Sequence, residues 1–432
     1  MKISTKDGLI KFVLIMFSVY AFCGSGIDYF FLPYAYNAQK IFVVSSMFLM
    51  VAFCVYKHRN WKRSDSLTYL PFIMILVVLF WNNYNFANGE YFRVYQFIAV
   101  ILLYFILKGR YDLSWMRWFC NITIGVGIFY AFFTILTFFS KSFYLTIVPT
   151  LQKYNSAYNL LNQYEQGYMA GITKHYTTNG IYLVTGILPL GAAVCCRSLK
   201  EISFRKRISI CGLFVAVLFA LLLSGKRAHT LFAVAALLIS IYYYYSDRPR
   251  TRKIKIITGL FIATLALLVA SYFVPQVLNV VNRFLEADES TAGLTSGRDL
   301  LQAQIYSVIA THPVFGVGWG WFPWNNSFSP GDYAHNVYLE LLAECGIVGT
   351  LPFIIFFIVC FRRTIHSLKR AVAYRQKNSE VIKLLSVSLC YQSFFLLYCI
   401  TGNPLYDFNC YFPYFVLCAV SESLRYKLSW EE

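Results

Sequence analysis

The chain has 432 residues, 58% of them hydrophobic and only 13% charged, against about 25% charged in an ordinary soluble domain. Mean hydropathy is +0.55, and Phe and Tyr contribute 40 and 34 residues. These figures exclude a disordered chain, a disulfide-rich secreted module and an ordinary cytosolic enzyme. They leave an all-α polytopic membrane protein.

Apolar runs predict spanning helices near 9–26, 41–56, 67–82, 91–107, 117–139 and 177–196. Six more follow near 208–223, 229–246, 254–274, 337–361, 381–400 and 408–423. At about 20 residues per crossing, this makes about twelve helices in a single integral membrane domain. Lys2, Lys6 and Lys11 ahead of the first run resemble a signal peptide. Tyr20-Ala21-Phe22 before Cys23 suits neither a small-residue cleavage site nor a lipoprotein site, so that helix is read as uncleaved.

Basic clusters interrupt the runs at Lys57-His58-Arg59, Arg205-Lys206-Arg207, Arg248 to Lys255 and Arg362-Arg363, always on alternate loops. Of the 38 Lys and Arg, 29 fall in or beside the segments of that side and 9 on the other. The positive-inside rule then places both termini in the cytoplasm. The charge of +18 is thus a topology signal, and no nucleic-acid partner is implied. Nearly all the cysteines, among them Cys195-Cys196, Cys211, Cys360 and Cys390, lie inside apolar runs and read as small buried hydrophobes. No CxxC or HExxH spacing occurs, so no metal or other cofactor is expected.

Two outer loops are long, 140–176 and 275–336, and loops of that length tend to be functional. In the longer one, Ser296 followed by Asp299 resembles a capping box. Leu301, Ile305 and Val308 then form an apolar stripe that ends at Pro313. This predicts a short amphipathic helix on the outer membrane surface with Arg298 in its first turn. A cation there opposes the helix macrodipole, unless an anion sits between the guanidinium and the free backbone N–H groups. Phosphate is the natural candidate, because it pairs with guanidinium in a bidentate fork. Lys226-Arg227 occupies the short outer turn 224–229, where both side chains either snorkel to lipid headgroups or bind a ligand.

The stretch His312 to Phe322 places Gly316, Gly318 and Gly320 at alternate positions, which allows a tight turn with close backbone approach. It is not a dinucleotide fingerprint. Trp319, Trp321, Phe322 and Trp324 either stack on sugar faces or anchor the loop in the interface. His335 opens the helix after this loop and is able to accept a proton near pH 7. Glu340 and Glu344 follow one turn apart near the membrane, where a carboxylate is costly unless paired; one of them orients His335 or binds a cation. Gly346 and Gly349 break or thin that helix.

His335-Asn336, nine residues and then Gly346-Ile347-Val348-Gly349-Thr350 resembles the motif of the O-antigen ligases and their polymerase relatives. Ser296-Gly297-Arg298, with the stretch to Pro313-Val314-Phe315-Gly316-Val317-Gly318, is similar to that family's long periplasmic loop. Arg227 stands where the family keeps an arginine in a short periplasmic turn. The motif-bearing part runs from about 224 to 350; before it, the likeness rests on topology and on Gly171 to Asn179. Lys226 directly before Arg227 is a departure that leaves open which of the two contacts ligand.

The resemblance implies a membrane glycosyltransferase fold of the GT-C-like type with a periplasmic active site under the long loop. It implies an undecaprenyl-diphosphate-linked glycan as donor and no metal. Arg227 and Arg298 would hold the diphosphate leaving group. His335 would orient or deprotonate the acceptor hydroxyl, with inversion at the anomeric carbon. Lys226, Asn336, Glu340, Lys174 and Trp319 are further candidates for binding the diphosphate or glycan. No motif assigns a role to Lys153, Lys174 or His175.

The leading expectation is a ligase of the bacterial inner membrane that passes a finished O-polysaccharide to the lipid A core. The alternative is a polymerase joining lipid-linked repeats. A glycan transporter or flippase would carry internal repeats with broken helices in matching places in each half, and none is visible.

Overall fold

A computed structural model describes residues 5–30, 45–47, 49–50, 52–53, 69–81, 91–151, 154–196, 203–259, 298–327, 331–374 and 379–430. Most of the predicted helices 41–56 and 254–274, the loop part 275–297 with Ser296 and Gly297, and Lys153 lie outside these residues. All regular structure among the described residues is helical. In chain order the helices are α1 (Thr5–Phe30), α2 (Leu70–Phe80), α3 (Tyr91–Lys108), α4 (Leu113–Phe139), α5 (Lys141–Leu151), α6 (Tyr154–Glu165) and α7 (Tyr176–Cys195). Then follow α8 (Phe204–Leu223), α9 (Arg227–Tyr244), α10 (Arg298–Thr311), α11 (Trp321–Asn325), α12 (Val337–Ala373), α13 (Ser379–Tyr398) and α14 (Phe408–Trp430). Among the described residues, α4, α7, α8, α12 and α13 are long and apolar enough to cross a bilayer. The chain is an all-α polytopic membrane protein.

Local chemistry sets the helix starts. Asp112 caps α4 by accepting from the Ser114 N–H at 2.7 Å, as a short acidic side chain does for an otherwise unpaired donor. Pro71 stands in the first turn of α2, where its missing N–H costs no helical bond. Two helices meet where side chains are absent. Gly127 of α4 and Gly186 of α7 face each other so closely that a Cβ on either would overlap the backbone of the other. Small residues let membrane helices approach in this way. Gln392 of α13 donates to Thr364 of α12 at 2.8 Å and to Ser388 at 3.0 Å, a buried polar tie between helices that hydrocarbon cannot replace.

The expected helix over 337–361 is too short: α12 continues through Arg362-Arg363 to Ala373. Its extension keeps Thr364, Ser367, Leu368, Ala371 and Val372 buried, and Arg363 pairs at 3.1 Å with Glu422 of α14. Paired charge thus carries the helix past the apolar run. α14 likewise exceeds the expected 408–423. The shorter outer loop, 140–176, contains two helices, α5 and α6, where Tyr144 of α5 stacks on Tyr164 of α6 with centroids 4.4 Å apart.

Candidate active site

The centre of the site is a break in α12. Gly346 has φ 60° and ψ −171°, a region in effect reserved for glycine, and the break deprives the surrounding turns of their own hydrogen bonds. The glycine-rich loop supplies the missing partners. The carbonyls of Ala343 and Glu344 accept from the N–H groups of Val317 (3.1 Å) and Gly318 (2.8 Å). The N–H groups of Ile347 and Val348 donate to the carbonyls of Pro313 (2.9 Å) and Val314 (3.2 Å). Backbone lies directly on backbone: a Cβ on Gly316 would overlap Glu344, and one on Gly346 would overlap Val314. The glycine-rich loop and the helix around Gly346 are therefore two halves of one internal joint, whereas Gly349 packs on Cys345 and Val77.

Around that joint the chain is pinned by buried carboxylates. Glu344 accepts from the Phe322 N–H at 3.0 Å and from the Tyr406 hydroxyl at 3.0 Å. Glu340 accepts from the Ala334 N–H at 3.2 Å. Both are fully buried. Glu340, a candidate for binding the diphosphate or glycan or for orienting His335, has its carboxylate turned inward, where it ties down the residue before His335. Trp319 is likewise turned inward. It is 5% exposed, and its ring packs on Tyr406, Phe353 and Phe97 at centroid distances of 5.0, 5.6 and 5.9 Å. It forms part of the core beneath the loop; Trp324, at 45% exposed, is the tryptophan that reaches outward.

His335 is the only residue other than glycine with a positive φ (54°) among the described residues. Such strain persists only where the surroundings over-determine it. Glu340 holds the residue before it. Asn336 behind it caps α12, its Oδ1 accepting from Tyr338 (3.1 Å) and Leu339 (3.2 Å). Val337 donates to the Cys399 carbonyl at 2.9 Å. The ring itself meets Asn403, whose Nδ2 lies 3.5 Å from Nδ1. Asn336 thus has a capping role that the sequence did not assign.

Arg227 is the first residue of α9, and Arg298 is the first described residue of α10. The apolar stripe of α10 is buried against protein, with Leu301 and Ile305 in one cluster with Phe322, Ala334 and Ala343. That brings α10 beside the residue next to His335, and α10 ends at Thr311, ahead of Pro313 as expected. The start of α9 joins through His229, whose ring lies 4.7 Å from that of Tyr398, the neighbour of Cys399. Lys226 is drawn the other way, with Nζ 5.2 Å over the Tyr176 ring.

In the shorter outer loop, Lys174 is exposed. His175 caps α7 by accepting from the Thr177 N–H at 3.1 Å through Nδ1. Burial, with a smaller contribution from Lys226, lowers its pKa to about 4, which keeps the capping lone pair available.

Sequence reasoning missed Arg93 and Asn403. Arg93 hydrogen-bonds the Tyr333 hydroxyl and lies 5.8 Å from the centre of that ring, two residues before His335. As one of nine outer cations it carried a weak signal, with no motif to separate it from the rest. Asn403 carried none, since it lies 68 residues from His335.

Residues 212–354 match the family model described as O-antigen ligase. This segment belongs to the O-antigen ligase family. It covers about a third of the chain, from within α8 to the first half of α12, and includes Arg227, Arg298, His335, both buried glutamates and the glycine joint. No curated protein matches the chain.

Proposed function

We propose that the protein is a membrane glycosyltransferase that moves a polysaccharide from undecaprenyl diphosphate to a hydroxyl of lipid A core sugar, on the periplasmic face of the bacterial inner membrane. The observation that carries the reading is the strained turn of His335, held within the segment that matches the O-antigen ligase model and that also contains Arg227, which opens α9, and Arg298 in α10. A guanidinium at a helix N-terminus is unfavourable by itself and becomes favourable with a phosphate between it and the backbone donors. Arg227 and Arg298 accordingly hold the diphosphate and stabilise the charge that develops as it leaves. His335 orients or deprotonates the acceptor hydroxyl as it attacks the anomeric carbon, and a single displacement inverts that carbon. Nε2 is the reacting nitrogen in this reading, since Nδ1 faces the Asn403 amide; Nε2 donates to orient the hydroxyl when Asn403 Nδ2 faces the ring, and accepts its proton when Oδ1 does.

The test supplies purified protein with donor lipid and either core-lipid A or an unextended lipid-linked repeat. Transfer to core-lipid A is expected. Lengthening of the lipid-linked chain without that transfer would replace this reading with a polymerase. His335→Ala should lower turnover by about 10²-fold or more while donor binding persists; unimpaired transfer would remove the histidine from the mechanism.

A further inference from the structure

A second concentration of cations lies at the far end of α12. Beyond the break at Gly346 the helix rises about 24 Å to Arg362 at about 1.5 Å per residue, most of the hydrocarbon core of a bilayer at about 30 Å, with the turns from Val337 on the near side of the break. The cations therefore sit at the membrane face opposite His335, the one that charge asymmetry assigns to the cytoplasm. Arg362, His366 and Lys369 follow one another on one face of α12. Together with Arg363 and with Arg425 of α14 they line a cavity of about 590 Å³.

Among the described residues no carboxylate lines this cavity. Glu422 lies behind it, 3.1 Å from both Arg363 and Arg425, and one carboxylate does not neutralise four cations. The remaining wall is apolar: Val359 and Ile365 line the same space. Tyr243 of α9 closes another side, with Lys369 Nζ 5.3 Å from its ring centre. One turn toward the middle of the helix, Ile355 and Ile358 are 42% and 51% exposed. A cationic chamber that opens onto an exposed aliphatic strip matches an amphiphile with a negative head. A free phosphate makes no use of the strip, whereas a phospholipid uses both parts.

We propose that this cavity binds the phosphate headgroup of an anionic membrane lipid, gripping α9, α12 and α14 together from the side opposite the candidate active site. The site is independent of the transfer reaction, so its test needs no glycan.

The full chain, purified and delipidated in detergent, is offered phosphatidylglycerol, cardiolipin, phosphatidylcholine or inorganic phosphate. Bound lipid is read by native mass spectrometry and protection by thermal unfolding. Phosphatidylglycerol and cardiolipin should bind and raise Tm, while phosphatidylcholine and inorganic phosphate at equal concentration should do neither. Removing two cations in Arg362→Ala/Lys369→Ala should weaken anionic-lipid binding by about 25-fold, at about fivefold per charge. The charge-preserving Arg362→Lys/Lys369→Arg should retain most of it. Three results would each overturn the proposal: unchanged binding in the alanine variant, equal protection by inorganic phosphate, or a charge-preserving variant as weak as the alanine one.

Discussion

Two side chains, in the connections ahead of α7 and α14, make opposite demands on protons. His175 uses the Nδ1 lone pair to cap α7, and burial holds its pKa near 4, below the unfolded value of about 6.5. Between those values the unfolded chain binds more protons than the folded one, so this group's contribution to stability falls as pH drops from about 6.5 toward 4. His175→Asn keeps a capping oxygen without the titration. Its unfolding midpoint should therefore vary less than the wild type's across pH 4.5–7; an equal slope in both would show that the cap does not govern it. Asp407 has the reverse sign. Burial raises its pKa to about 6, against the opposing pull of the Asn409 N–H and of Arg93. Its contribution is best at low pH and declines as pH rises from about 4 to 6. Asn403 acts on chemistry instead. Its amide meets His335 Nδ1, and which amide atom faces the ring selects the tautomer and hence whether Nε2 donates or accepts. Asn403→Asp fixes an acceptor there and favours the imidazolium. The acid limb of its rate profile should move to higher pH, whereas a merely structural contact would alter stability and leave the limb in place.

At the scale of elements, the joint between the glycine loop and the broken α12 decides whether the site forms. Gly346→Ala imposes a side chain on a glycine-only conformation and drives it into Val314, which should cost about 3 kcal/mol or more. Gly212, in the same family segment, meets nothing within 4 Å; Gly212→Ala removes helix-weakening backbone freedom and should be neutral or slightly stabilising. Thermal unfolding of both variants in detergent separates the cases, and equal midpoints would show that the joint bears no load. The loop glycines were visible in the sequence as permission for close approach, and the resemblance placed Gly346 and Gly349 in its motif and Gly316 and Gly318 in the long loop before it. That the two segments around them bond each other's backbone was not legible, because four reciprocal hydrogen bonds between 313–318 and 343–348 leave no pattern in side-chain type. Spanning helices were legible because each needs a long apolar run. α5 and α6 were not, since short helices in a polar loop carry little periodic signal, and the extension of α12 was hidden by the very cations that Glu422 partly neutralises. Trp319 was placed outward on the general habit of membrane tryptophans; burial between Phe353, Phe97 and Tyr406 depends on contacts across the whole chain.

The whole molecule has two chemically unlike ends, and its orientation decides which one meets which compartment. The end with His335 carries few cations, among them Arg227 and Arg298. The sequence assigns 29 of the 38 Lys and Arg to the other side, among them the cavity cations of α12. The positive-inside rule counts short loops near helix ends, and the stretches Arg205-Lys206-Arg207 and Arg248 to Lys255 are of that kind. Alkaline phosphatase, active only outside the cytoplasm, tests this when fused at points in the connecting segments. Fusions after Gly167 and Gly331 should be active, and those after Asp247 and Tyr374 should be inactive. The reverse pattern would put His335 in the cytoplasm and remove the periplasmic transfer proposed above. The prediction is sharp because all four points lie on described connections, and α12 alone links Gly331 to Tyr374. These two fusions must therefore differ if α12 crosses the membrane once. Equal activity at both would refute α12 as a single crossing, and with it the placement of the lipid cavity and His335 at opposite faces.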